Sequence, residues 1–170
     1  MNFVKIICTI LLLNCLSNCG FQAIYKEHPS DSEINYDDRL ATIDISKKRK
    51  RIDQKLRDNL ETVLNPNNIQ TEKKYLLNID LDKTIAGTLI NPTGSVGRNK
   101  ITLTGNYTLT RISDNKIIST GTATAKDDFN VESKRFANYI TEEEMELNLT
   151  KLIAENIRNS LINDLILEVK

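Results

Sequence analysis

Three cysteines and one histidine are the only side chains in this 170-residue chain suited to thiol chemistry or soft-metal ligation. Cys15 and Cys19, four residues apart in "LLLNCLSNCGFQAIY", have the spacing of a redox pair or a metal clip. Either site needs further ligands, and the one histidine, His28, stands in a polar stretch. Acid–base chemistry has no better parts. Asp127 and Asp128 are adjacent, so on a strand they point to opposite faces. Glu142, Glu143 and Glu144 suit the start of a helix, where carboxylates complement its dipole. "GSVGRN" lacks both the spacing and the helix of a phosphate loop. The expectation is a protein without catalytic residues, metal site or dissociable cofactor.

The cysteines gain a different meaning from what precedes them. Lys5 is the only charge before Lys26, and Ile6–Leu16 is an apolar run broken only by Thr9 and Asn14. As a helix that run covers about 16 Å, against a hydrocarbon core of roughly 30 Å, so it is too short for a membrane span. A basic tip, a short apolar stretch and small polar residues make a secretory signal over residues 1–18. Leu16-Ser17-Asn18-Cys19 resembles a bacterial lipobox, with Asn18 where Gly, Ala or Ser is usual. Cleavage there removes Cys8 and Cys15 and leaves Cys19 as the new N-terminus, carrying a thioether-linked diacylglycerol and an acyl chain. A lone free thiol in an oxidising compartment is a liability, whereas an acylated sulfur is inert. Gly20 rather than Asp follows, which points to the outer membrane, on its periplasmic side.

Charge supplies the second candidate site. The chain is formally neutral, with 5% aromatic residues and no tryptophan, which argues against a nucleic-acid binder. Yet Lys47, Lys48, Arg49, Lys50 and Arg51 are consecutive, and Lys55 and Arg57 follow within six residues. Cations at a helix start are unfavourable by about 0.3–1 kcal/mol each, so the run reads either as a solvated end or as a polyanion site. Outside the cytoplasm the polyanion is a phosphorylated lipid or an acidic protein surface. A third candidate is the turn Asn91-Pro92-Thr93-Gly94 with its arms, poor in charge until Arg98, Asn99 and Lys100. Arms that project past the rest of the domain would offer strand edges to a partner.

The elements that position these residues follow from periodicity. Residues 19–38 read as a lipidated N-terminus and polar tether, and residues 39–170 as one domain. Ala41, Ile43 and Ile45 alternate as a short first strand. Ile52, Leu56, Leu60, Val63 and Leu64 make one helical stripe, ended by Pro66. Tyr75, Leu77, Ile79 and Leu81 alternate in a long second strand. Ile101, Leu103, Tyr107 and Leu109 face one way in the third, with Thr102, Thr104, Thr108 and Thr110 opposite. Asp114-Asn115 turns the chain into a fourth strand whose inward positions (Ile117, Ser119, Gly121, Ala123) are small enough for a close helix. "NVESKRFANY" reads as irregular, and Thr141 with Glu144 as the capping box of a final helix. Met145, Leu149, Leu152, Ile153, Ile157 and Leu161 form its buried stripe. The order β-α-β-β-β-α predicts an α+β fold, two helices on one face of a four-stranded, mostly antiparallel sheet.

In that order, several short stretches resemble one family. "CGFQAIY" is similar to the Cys-Gly-Phe-x-Pro-Leu-Tyr start of lipopolysaccharide-assembly lipoproteins, the LptE family, in its alphaproteobacterial form, with Ala23 and Ile24 replacing Pro and Leu. Arg51, Gln54, Leu56, Arg57, Leu60, Leu64, Pro66 and Tyr75 resemble its first helix and the strand after it. "GRNKITLTGNYTLTR" resembles its third strand, and "SKRFANY" the stretch before its last helix. The resemblance implies a non-catalytic plug inside an LptD-type outer-membrane β-barrel, binding lipopolysaccharide on its way outward. Phe21, Tyr25, Asn91, Pro92 and Arg98 are then the candidate barrel contacts. The basic run with Arg57 is the candidate lipopolysaccharide site, and no nucleic acid is expected. The alternative is a free-standing envelope lipoprotein that binds or chaperones another ligand.

Overall fold

Alternating and helical stripes fold into one layer of sheet under helices. The computed structural model describes residues 36–167 except Asn91, Thr93 and Ser95. Helix α1 (Tyr36–Ala41), strand β1 (Ile43–Ile45), helix α2 (Arg51–Leu64), strands β2 (Tyr75–Ile90), β3 (Val96–Arg111) and β4 (Ile117–Asn130) and helix α3 (Arg135–Leu167) follow in turn. The sheet order is β1-β2-β3-β4. β1 runs parallel to β2, with Ile43 opposite Tyr75, which requires the long crossover through α2. The other neighbours are antiparallel.

The inward face of the sheet is the expected one. Tyr75, Leu77, Ile79, Ile101, Leu103, Tyr107 and Leu109 are buried, while the threonines between them on β3 are half-exposed. Leu56, Leu60 and Leu64 close from α2, and Leu149, Ile153, Ile157, Leu161 and Leu165 from α3. Every member of this core lies between Leu40 and Leu165, so the unit Asn35–Lys170 carries its own folded body.

Four local expectations change. Residues 36–41, expected as the end of the tether and the first strand position, form α1. Asp37 and Asp38 complement its dipole, and Leu40 and Ala41 are buried. The Lys73 amine donates to the carbonyls of Ala41 (2.7 Å) and Ile43 (3.1 Å), tying α1 and β1 to the approach of β2. Helix α3 starts at Arg135, so Thr141 lies inside it and caps nothing. Asn138 instead fastens the connection, its side chain accepting from the Glu132 amide and donating to the Glu132 carbonyl. On β4, Ile117 is exposed: Leu109 pairs with Ser119 but Thr110 with Ile117, a bulge that turns Ile118 toward the core. Leu152 is exposed as well, and Ala154 is buried on α3 instead.

The small residues of β4 admit Tyr107. A Cβ built on Gly121 would meet the Tyr107 hydroxyl oxygen at 2.5 Å and its ring carbons at 2.6 and 2.8 Å. A Cβ on Gly105 would meet the nearest atom, a methyl of Ile153, at 3.4 Å. Gly121→Ala should therefore lower stability by about 1–3 kcal/mol by forcing the phenol aside, and Gly105→Ala by clearly less. Urea midpoints of the two variants of residues 35–170 check the contrast.

Candidate functional site

The basic run lies where β1 hands over to α2. Three strand residues, Ile43–Ile45, are followed by an irregular stretch that delivers Lys47 to Lys50 to the start of the helix. Lys50 is the N-cap residue, in extended conformation, and its side chain caps no amide. The first turn therefore keeps open N–H groups, relieved by Asp53 alone.

The fold neutralises part of the run. Lys48 pairs with Asp80 on β2 at 2.8 Å. Arg51 and Lys55 both pair with Glu143 on α3, Lys55 at 3.5 Å. Arg57 turns away, pairing along its own helix with Glu61 at 2.5 Å, and its Nε is buried without a partner. Lys47, Arg49 and Lys50 remain exposed and have no ion pair among the described residues. A cleft of about 270 Å³ opens beside them, but Asp53, Asp80 and Asp82 line it along with Lys48 and Lys50. Its acids outnumber its amines, which disfavours an anion inside the cleft and leaves the exposed cations Lys47, Arg49 and Lys50 to meet one. Such a cluster can hold an anionic group.

Carboxylates of α3 account for the rest of the local electrostatics. Glu142 and Glu146 grip the Lys83 amine of β2 at 2.8 and 2.5 Å. Partial burial works to lower the Lys83 pKa, but the hydrogen bonds and charges of Glu142 and Glu146 outweigh it and hold the amine above its ordinary value. Beyond Lys83 every described position of β2 is exposed. Pro92 and Arg98 are exposed near the tip of this hairpin, and Arg98 has no ion pair among the described residues. Cys19, Phe21, Tyr25 and Asn91 lie outside the described residues, as do the other cysteines and His28.

The structure adds a feature that sequence reasoning missed. Phe136, Tyr139 and Ile140, in the stretch read as irregular, stand exposed on the first turns of α3. Leu89, Ile90 and Val96 are exposed on the neighbouring hairpin arms. The i, i+3, i+4 spacing of the α3 residues was the available signal, had the helix been started at Arg135.

No family model and no curated protein matches the chain. Solved structures do. A protein assigned as a lipoprotein of Caulobacter crescentus superposes with a TM-score of 0.65 at 13% identity, over 79% of this chain and 98% of that one. Rare lipoprotein B of Shewanella oneidensis gives 0.59 at 14% identity, over 75% and 97%. A minor lipoprotein of Acinetobacter baumannii gives 0.53 at 18%, over 72% and 89%. The chain thus has the fold that these lipoproteins share.

If Glu142 and Glu146 clamp Lys83 as described, Lys83→Met should destabilise residues 35–170 by no more than about 1 kcal/mol, since the amine is a third exposed. A raised amine pKa contributes stability that is complete below the ordinary lysine range and lost as pH rises through the folded value. The gap between wild type and variant in urea unfolding should be constant at neutral pH and close only above about pH 10.4.

Proposed function

We propose that this chain is a lipid-anchored outer-membrane lipoprotein that partners and plugs an LptD-type β-barrel during lipopolysaccharide transport, without catalysis. The observation that carries the reading is a coincidence of two independent features. The stretch "CGFQAIY", which begins at the cysteine of the lipobox-like Leu16-Ser17-Asn18-Cys19, resembles the start of the LptE family, and the folded domain shares its architecture with solved lipoproteins. Three acyl chains on Cys19, each methylene worth about 0.8 kcal/mol in a bilayer, would make release into water negligible. Lipopolysaccharide carries phosphates, and the cations left unneutralised at the start of α2, Lys47, Arg49 and Lys50, are the group we assign to them.

Mass spectrometry of the membrane-bound protein should find a chain beginning at an acylated Cys19. An intact Met1 end or an unmodified thiol at Cys19 would overturn the anchor. Extraction in mild detergent should bring down a large β-barrel with it, and depletion of the lipoprotein should block maturation of that barrel. Recovery of the lipoprotein without any barrel would instead favour a free-standing binding module. Replacing Lys47, Arg49 and Lys50 with Gln should weaken lipopolysaccharide binding several-fold at low salt, with the difference shrinking as salt rises. Equal affinity of variant and wild type at low salt would make these side chains a solvated helix end.

A further inference from the structure

One end of the domain combines exposed apolar side chains with cations that have no ion pair among the described residues. The Val131 amide donates to the Gly97 carbonyl at 3.0 Å, which ties the end of β4 to the base of the hairpin tip. Helix α3 begins four residues later and runs back along the sheet, reaching Lys83 with Glu142 and Glu146. Its first turns lie beyond the reach of α2, whose own first turn meets α3 only at Glu143. Phe136 (76% exposed) and Tyr139 (56%) therefore have no helix over them, and Leu89 (54%) and Ile90 (68%) extend from the neighbouring arm.

The charge around these side chains has one sign on the hairpin. From Lys83 to Lys100 there are three basic residues and no acidic one. Lys83 is spent on α3 and Lys100 stands opposite Asp128 on β4, while Arg98, Lys134 and Arg135 have no ion pair among the described residues. Aromatic and aliphatic side chains rimmed by free lysine and arginine match a bilayer interface, where rings sit at headgroup depth and cations meet lipid phosphates.

We propose that this end, the adjoining ends of the β2 and β3 arms with the first turns of α3, docks shallowly on an anionic bilayer surface. The inference goes beyond the barrel partnership and does not require it.

The test uses the self-contained unit Asn35–Lys170, which lacks the acylated cysteine, in sedimentation with phosphatidylcholine vesicles with and without phosphatidylglycerol. The unit should pellet with the anionic vesicles at low salt and less at high salt. Leu89→Ser, Ile90→Ser and Phe136→Ser together should weaken binding about tenfold or more with little change in thermal midpoint, because all three side chains are more than half exposed. Arg98→Gln, Lys134→Gln and Arg135→Gln together should abolish the preference for anionic vesicles. No pelleting of the wild type at low salt overturns the proposal. Pelleting that survives the apolar variant but is lost on replacing Lys47, Arg49 and Lys50 overturns it too. Loss of a co-purified barrel in the apolar variant, with no vesicle binding by wild type, would make this end a protein contact and overturn it. The vesicles contain neither barrel nor lipopolysaccharide, so this result stands apart from the fate of the barrel reading.

Discussion

Helix α3 lies across the sheet, and nearly everything else in the domain is arranged around that contact. Leu149, Ile153, Ile157, Leu161 and Leu165 come from one helix and are all buried against it. Close approach is possible because the sheet offers small residues beneath them: Gly105 under Ile153, and Ser119, Ala123 and Ala125 along β4. Gly121 serves the layer differently, by leaving room for the Tyr107 ring. The helix is 33 residues long, about 50 Å, whereas α2 covers only 14 residues beside it. That mismatch leaves the first turns of α3 unpartnered and creates the exposed end.

Polar contacts then fix the register between the layers. Asn59 of α2 donates to Thr150 of α3 at 3.0 Å, and the fully buried Thr150 hydroxyl donates back to Leu147, so the pair leaves no unsatisfied oxygen. Arg158 donates to the Val63 carbonyl at 2.9 Å, covering an end of α2 that its own helix cannot satisfy. The two helices meet in order, Arg51 with Glu143, Asn59 with Thr150, Val63 with Arg158, so they run parallel. Two parallel helices place their positive ends toward the same side. The acidic cluster Glu142, Glu143 and Glu146, two turns and more into α3, lies beside the start of α2 and meets cations from α2 and β2.

The same arrangement divides the basic run. A consecutive row of five cations looks like one site in sequence, but the fold pairs Lys48 with Asp80 and Arg51 with Glu143, leaving Lys47, Arg49 and Lys50 without an ion pair among the described residues. Charge count alone gives five cations where three stay without an ion pair among the described residues. Arg57, attractive by its place in a family-like motif, serves its own helix through Glu61.

Periodicity determined what needs only local chemistry. Alternation on β2 and β3 and the α2 stripe ending before Pro66 needed no partner to be read, because burial on one side writes period 2 or 3.6 directly into the residue types. The turn at Asp114-Asn115 is equally local: Asn115 has φ of 53°, and the Asp114 carboxylate accepts from the Lys116 amide and from Arg111. Tertiary structure decided where α1 and α3 begin, which isoleucine after the β4 bulge turns inward, and which cations stay free. Each depends on a neighbour distant in sequence: Arg158 for Asp37, Lys83 for the α3 acids, Leu109 and Thr110 for the bulge. A carboxylate near a helix start looks the same in sequence whether it caps an amide or reaches across to another element. Only the position of the opposing charge in space separates the two.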